Sequence, residues 1–169
     1  MKTDHSLSLR LTARFDDLPR LGEFVSSGLL QISESVADSG IDIDVETLAG
    51  DLTLAIHETC ANVIDHAYGA ESDAFILVNL DADTAQRHVI ATITDEGQHY
   101  NPQQLNWPPP QCWQSAGTGD EQIFTLGEVQ MDDLETERGR GLYLITLLLD
   151  SVTYQPRSDK NCWTLVKHY

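Results

Sequence analysis

The sequence predicts an α+β fold: a two-layer α/β sandwich whose helices cover one face of a mixed, mainly antiparallel sheet. Polar and apolar residues alternate with period two at residues 6–13 and 89–94, as in half-buried strands. Apolar residues recur at helical spacing at 18–36 and 45–68. Because several strands follow each other with no helix between them, we expect them to pair as hairpins, with the helices gathered on one side.

The predicted elements run in the order β-α-α-β-β-loop-α-β-β along a single domain, residues 1–169, without internal repeats or linkers. The predicted strands are Ser6–Ala13, Ala74–Leu80, Val89–Thr94, Ser151–Gln155 and Cys162–Lys167; the predicted helices are Leu18–Val36, Val45–Tyr68 and Gly141–Leu149. Pro156–Asn161 is predicted as the last turn. Residues 97–138 show no clear period, and a loop of this length is usually functional or disordered.

The charge of the chain restricts its partners. Ten lysines and arginines stand against 27 aspartates and glutamates, which gives a net charge of −17. No lysine or arginine occurs between Leu21 and Gln86, where thirteen acids lie. Nucleic acids and anionic membranes are bound through cationic side chains, so neither is expected as a partner. The acidic surface favours a basic or polar protein partner, or serves solubility alone.

The apolar runs and the cysteines indicate a cytoplasmic protein. The longest apolar run, Leu142–Leu149, is too short to span a bilayer, and the N-terminus lacks the pattern of a secretory signal. Three cysteines lie far apart and form no C-x-x-C pair. We therefore expect reduced thiols.

The first candidate site lies on the second predicted helix. Glu58 and Asn62 are one turn apart, opposite the apolar stripe of that helix. A carboxylate beside an amide oxygen offers hard ligands and a proton acceptor, as magnesium and phosphate chemistry require. An ordinary solvated polar face would give the same spacing. His57-Glu58 also begins an H-E-x-x-H pattern, but Ala61 stands in the place of the second histidine, which excludes that zinc site.

The second candidate site follows a predicted strand. Asp95 ends the strand and Gly97 turns the chain two residues later, so the carboxylate would lie at the mouth of a pocket. Such a carboxylate can accept a hydrogen bond from an exocyclic amine such as adenine N6. An ordinary turn after a strand is the alternative interpretation.

The third candidate site is the glycine turn Gly139-Arg140-Gly141, which opens the last predicted helix. Free N–H groups and the positive end of the helix dipole favour phosphate at such a helix start. The chain has no G-x-x-x-x-G-K-[ST] sequence, which excludes a P-loop.

The order of these motifs is more specific than any one of them. An E-x-x-x-N helix, a strand ending in D-x-G, a long loop and a G-x-G-L helix resemble the ATP-binding domain shared by histidine kinases, gyrase-type topoisomerases and heat-shock chaperones. More narrowly, LAIHETCANVIDHAY, ITDEGQHYNP and RGRGLYLITLLLDSVTY resemble the anti-sigma-factor serine/threonine kinases of bacterial partner-switching systems. The resemblance covers nearly the whole chain and implies the histidine-kinase-like ATPase fold.

The resemblance implies a role for each candidate residue. Asn62 would coordinate Mg²⁺, Glu58 would be the general base, and Asp95 would bind the adenine amino group in a turn shaped by Gly97. Thr164 on the last strand would assist adenine binding. The phosphates of ATP would meet the last three candidates: Gly139, Arg140 and Gly141.

The long segment at about residues 98–138 would be the ATP lid of the family. One departure lies at its start, because His99 occupies the second glycine of the common D-x-G-x-G pattern. Trp107-Pro-Pro-Pro and Trp113 also make the lid long for the anti-sigma branch.

The resemblance implies a protein serine/threonine kinase that phosphorylates an antagonist protein and, in another state, binds a sigma factor. It also implies a homodimer. Two alternatives stay open: a nucleotide-gated binding module without kinase activity, and the catalytic domain of a histidine kinase. The second needs a dimerising helical hairpin with a phosphoacceptor histidine, whereas only a strand and one helix precede the Glu58 helix.

Overall fold

The computed structural model describes residues 5–37, 43–102, 110–129 and 140–169, apart from the side chains of His5, Asp120 and Arg140. The α-helices in these ranges are α1 (Arg20–Val36), α2 (Val45–Asn62) and α3 (Arg140–Leu148). The strands are β1 (His5–Ala13), β2 (Ser72–Asp83), β3 (His88–Asp95), β4 (Trp113–Ala116), β5 (Ile123–Leu126), β6 (Ser151–Arg157) and β7 (Lys160–His168). A π-helix, Val63–Ala67, continues α2, and short 3₁₀ turns lie at Phe15–Asp17, Pro110–Cys112 and Gly119–Glu121.

The strands form one seven-stranded sheet in the order β1-β2-β3-β7-β6-β5-β4. Each neighbouring pair in the described ranges is antiparallel. The directly connected strands β2 and β3, and β6 and β7, pair with each other, as the hairpin argument predicted. Strands β4 and β5 pair in the same way. The α+β sandwich is therefore confirmed, with a sheet that is antiparallel wherever it is described.

The helices lie on one face of the sheet because the strands alternate. On β3, Ala91 and Ile93 are completely buried, whereas their neighbours Thr92 and Thr94 are partly exposed on the other face. Helix α1 approaches the sheet closely at Gly28, where a Cβ atom would lie 2.7 Å from the Leu80 side chain. None of the helices in the described ranges is long and apolar enough to cross a membrane.

The segment predicted as one long loop contains strands β4 and β5, which the sequence analysis missed. Each is four residues long, and in β4 only Trp113 is buried while the next three residues are exposed. Strands this short show no detectable period. Their position is set by tertiary contacts instead, since the Phe124 ring stacks 6.3 Å from Tyr154 and Trp113 lies 6.3 Å from Trp163.

The last hairpin is also tighter than predicted. Strands β6 and β7 pair up to Arg157 opposite Lys160, so only residues 158 and 159 form the turn. Asn161, predicted to lie in the turn, is the second residue of β7 and is paired with Asp95 of β3. Asn161 therefore lies on the face of the sheet that carries Asp95.

Candidate functional site

Helix α2 begins and ends for identifiable reasons. Its N-cap, Asp44, accepts a hydrogen bond from the Thr47 backbone N–H at 3.1 Å. Its buried residues lie on the predicted apolar stripe, and Leu52 and Ile56 are completely buried. The α-helix ends at Asn62, before the predicted end at Tyr68, and the chain widens into the π-helix. Single π turns within helices frequently occur at functional sites.

The end of this helix is attached to the turn after β3. The Gln98 backbone N–H donates to the Ala67 carbonyl at 2.8 Å, and the Glu96 N–H donates to the Tyr68 hydroxyl at 3.2 Å. A Cβ atom at Gly97 would lie 2.7 Å from the Ala67 carbonyl oxygen. Gly97 therefore lets the turn approach the helix backbone closely.

Asp95 is buried at the end of β3 with one carboxylate oxygen unused. The residue is 2% exposed. Its Oδ1 accepts hydrogen bonds from the Gly97 N–H and from Asn161 Nδ2, both at 2.8 Å. Its Oδ2 is buried without a hydrogen-bond partner. Burial raises the pKa of this carboxyl, while the hydrogen bonds from Asn161 and Gly97 act in the opposite direction.

Asn161 is the centre of a buried network that the sequence analysis missed. Its Oδ1 accepts a hydrogen bond from the Tyr154 hydroxyl at 2.6 Å and lies 2.8 Å from His99 Nδ1. Its Nδ2 donates to Asp95 and also approaches the carbonyl oxygens of Gly97 and Gln98 at 3.2 and 3.3 Å. Trp163 and Leu165 show the period-two pattern of a strand. Extending this pattern back to residue 161 would have assigned Asn161 to the same face.

An aromatic cluster borders this network. The Tyr100 ring lies 5.5 Å from both Tyr154 and Trp163, and 5.8 Å from Trp113. The Tyr100 hydroxyl and Trp113 Nε1 are buried without hydrogen-bond partners. Burial raises the pKa values of Tyr100 and Tyr154, so both hydroxyls stay protonated and can donate.

Glu58 lies against the first turn of α3. A Cβ atom at Gly141 would be 2.6 Å from Glu58 Oε2, so the carboxylate occupies the space that glycine leaves open at residue 141. The Glu58 side chain is 30% exposed, and its Oε1 lies 3.6 Å from His57 Nδ1. The carboxylate is thus accessible and close to the start of a helix.

The chain matches the family model of the histidine kinase-like ATPase domain over residues 24–167. It belongs to this family. No curated protein matches it. The fold predicted from the resemblance is thereby confirmed at the level of the superfamily, and membership in an ATPase family implies that the domain binds ATP.

The structure of this ATPase domain brings some of the predicted residues together and separates others. Asp95 and Gly97 adjoin the end of α2, and Glu58 meets Gly141. Thr164, by contrast, pairs with Thr92 and lies on the open face of the sheet, opposite Asp95. Because alternate strand residues point to opposite faces, the structure does not bring Thr164 to this site.

Two further predictions depend on undescribed parts of the chain. Gly139 lies outside the described residues, as do 103–109 and 130–138 of the predicted lid. Arg140 is the first residue of α3, and its side chain is likewise outside the described part.

The ligand atoms available in the ATPase domain suit a Mg²⁺ ion that is also bound by the phosphates of the nucleotide. Across the described ranges, no three His, Cys, Asp or Glu side chains are grouped so that they could hold a metal ion. Mg²⁺ is commonly held by one or two protein oxygens together with substrate phosphates, so a single amide at Asn62 is compatible with it. Asn62 Nδ2 is buried without a partner, which leaves both N–H donors of this amide unused.

A surface groove adjoins the site. It lies between α1 and α2, has a volume of about 790 Å³ and an apolar lining that includes Leu30 and Leu54, and reaches His57 and Glu58. It does not include Asp95 or Asn62 and is therefore separate from the buried carboxylate.

Cys60 is buried on the same helix, and burial raises the pKa of its thiol to about 12. Because the nucleophilic form of cysteine is the thiolate, Cys60 is a poor nucleophile at neutral pH.

Proposed function

We propose that this ATPase domain is a protein serine/threonine kinase of the anti-sigma-factor type. It transfers the γ-phosphate of ATP to a serine or threonine of an antagonist protein and, in another nucleotide state, binds a sigma factor. ATP binding follows from the family. The observation that carries the transfer step is the contact of the Glu58 carboxylate with Gly141 at the start of α3.

In this proposal the adenine base is recognised by Asp95. A buried carboxylate oxygen without a donor is costly, and the N6 amine of adenine would supply the missing hydrogen bond. Asp95 Oδ2 is such an atom. Asn161 replaces Thr164 as the strand residue that supports this contact, because it lies on the same face as Asp95.

The phosphates are assigned to the other end of the site. The amide oxygen of Asn62 would bind Mg²⁺, and the turn Gly139-Arg140-Gly141 would receive the phosphates at the N-terminus of α3. Bound Mg²⁺ would neutralise the charge that develops on the transferring group. The contribution of the chain is to hold the phosphates in line with the attacking hydroxyl.

The transfer step needs one proton acceptor. The oxygen of the substrate hydroxyl forms a bond to the γ-phosphorus, while the bond from that phosphorus to the β,γ-bridging oxygen breaks and ADP leaves. The hydroxyl proton passes to the Glu58 carboxylate, which is exposed enough to be reached.

The surface beside Glu58 favours a protein as acceptor. The groove between α1 and α2 leads to this carboxylate and has an apolar lining with Glu46 at its far end. The segment from Leu21 to Gln86 carries no cation. An acceptor segment with apolar residues and flanking lysines or arginines would complement such a groove.

The direct test uses proteins that the full chain captures from a lysate of its own source. These proteins are incubated with the chain, Mg²⁺ and ATP labelled with ³²P at the γ-position. We expect one captured protein to acquire label that is stable to acid and labile to base, as phosphoserine and phosphothreonine are. Glu58→Gln should lower the labelling rate about 10²–10⁴-fold, the range for loss of a general base, while ATP affinity is retained.

Glu34→Gln is the matched control. It removes an exposed glutamate of α1 that does not line the groove, and it should leave labelling unchanged. Acid-labile label on histidine would assign the chain to histidine kinases. ATP binding without label on any captured protein would favour a nucleotide-gated binding module. Unchanged labelling by folded Glu58→Gln would contradict the role of Glu58.

A further inference from the structure

We infer that Asn161 is a positioning residue for base recognition, acting together with His99 and Tyr154. The inference rests on the proposed function, in which Asp95 reads the base. It goes further in assigning base selectivity to three residues that do not themselves touch the nucleotide. It also explains the histidine that replaces the second glycine of the D-x-G-x-G pattern.

The hydrogen bonds of Asn161 have defined directions. Three oxygen acceptors, on Asp95, Gly97 and Gln98, surround Nδ2, which fixes the orientation of the amide. The Oδ1 atom therefore accepts. The Tyr154 hydroxyl donates to it, and His99 donates in the tautomer that carries a proton on Nδ1.

These bonds leave Asn161 with no capacity for a ligand. Its residue is 1% exposed, and both polar atoms of its amide are already occupied. Its effect on a nucleotide must therefore act through Asp95. Asn161 and the Gly97 N–H both donate to Oδ1 of Asp95. These two bonds fix the plane of the carboxylate and leave Oδ2 of Asp95 as the unpaired acceptor.

The network also holds the first residues of the lid segment. Asn161 approaches the carbonyls of Gly97 and Gln98 and contacts the side chain of His99. The Tyr100 N–H donates to the Tyr154 hydroxyl at 2.9 Å. Four consecutive residues after the β3 turn are thus attached to strands β6 and β7 through two side chains.

Stability alone does not account for this arrangement. A network serving only stability would pair every buried polar atom, because an unpaired one costs free energy. Here Asp95 Oδ1 receives two donors while Oδ2, on the same carboxylate, receives none. The donors are arranged to present a single acceptor in a fixed direction.

The experiment compares ATP with inosine triphosphate, which carries a carbonyl oxygen in place of the N6 amine. Calorimetric titration of the full chain with each nucleotide in Mg²⁺ gives the ratio of their dissociation constants. The wild type should prefer ATP. In Asn161→Ala that preference should fall about tenfold or more, the equivalent of one hydrogen bond to a charged group.

Tyr154→Phe provides a milder second variant. It removes one hydroxyl, keeps the aromatic packing with Tyr100 and Trp163, and should lower the preference in the same direction by a smaller factor. Asn79→Ala is the matched control, since Asn79 lies on the open face of the same sheet and bonds Ser8. It should leave the preference unchanged, and thermal melting confirms that each variant is folded.

The outcomes separate the two hypotheses. Failure of the wild type to bind ATP would contradict the proposed function itself. A wild type that binds ATP and inosine triphosphate equally would contradict base recognition by Asp95 as well as the inference about Asn161. Folded Asn161 and Tyr154 variants that retain the wild-type preference would overturn only the inference about Asn161.

Discussion

The two ends of the site are built differently. The base end, which comprises Asp95, Gly97, His99, Tyr154 and Asn161, is closed by hydrogen bonds centred on the buried side chains of Asp95 and Asn161. The phosphate end comprises Glu58, Asn62 and the first turn of α3. Its one described close approach is the contact between the Glu58 carboxylate and Gly141.

This difference indicates that the protein itself fixes the geometry of the base end, whereas a bound ligand must complete the phosphate end. At the base end, a rigid set of donors leaves one acceptor for one amine, as expected of a preorganised recognition site. At the phosphate end, the groups present are a carboxylate, an amide and a helix start. These groups need phosphate and a cation between them to become a complete set.

Asp95→Asn should have the largest effect and tests the base end. The substituted amide directs a donor toward the N6 amine, so ATP affinity should fall about tenfold to a hundredfold, the range for a hydrogen bond to a charged group. Titration calorimetry measures this fall. Unchanged affinity for ATP would mean that the base does not contact Asp95.

The same variant should be at least as stable as the wild type at neutral pH. Burial raises the pKa of Asp95 in the folded state, so the native protein holds its proton to higher pH than the unfolded chain. Stability therefore decreases as pH rises from the ordinary aspartate pKa, about 3.9, through the folded pKa, and the cost is fully present above it. Urea unfolding across this window should show the decrease for the wild type and a smaller one for Asp95→Asn.

Gly97→Ala comes next and tests how rigid the base end is. The added methyl would meet the backbone of Ala67, which cannot move without shifting the end of the helix. Overpacking of this kind costs about 1–3 kcal/mol in the free energy of unfolding. Denaturant unfolding should show this loss together with weaker ATP binding. Wild-type stability would show that the turn has room to relax.

Gly141→Ala should have the smallest effect on stability and tests the phosphate end. The added methyl would meet the flexible end of the Glu58 side chain, which can rotate away. Alanine also favours a helix by up to about 1 kcal/mol over glycine, so stability should be kept or slightly raised. The rate of phosphoryl transfer should fall, because the displaced carboxylate no longer lies at the helix start. Full activity in this variant would separate the Glu58–Gly141 contact from catalysis.

The fold and about half of the site residues could be predicted from local patterns in the sequence. The apolar stripe of α2 and the alternation in β3 gave the two elements that carry Glu58, Asn62 and Asp95, because these periods follow directly from helix and strand geometry. Gly97 was also identified, and the structure adds that it lets the turn pack against the helix backbone at Ala67.

What could not be predicted depends on contacts between distant parts of the chain. Asn161 lies 66 residues from its partner Asp95, and the local alternation of β7 assigns it a face without indicating that partner. Thr164 was chosen by residue type, whereas the register of β7 decides which side chains face the site. The strands β4 and β5 were missed because aromatic packing, and not local alternation, holds them on the sheet.

The strands β4 and β5 limit how far any cover over the nucleotide could travel. A loop of forty residues attached only at its two ends could reach most of the domain. Here the chain pairs with the sheet through β4 and β5 part-way along the segment. Between Val129 and the start of α3 at Arg140 the backbone can reach at most about 36–40 Å, at 3.3–3.6 Å per residue. Because both ends of this span are fixed, one after β5 and one at α3, no part of it can lie farther than this distance from either end.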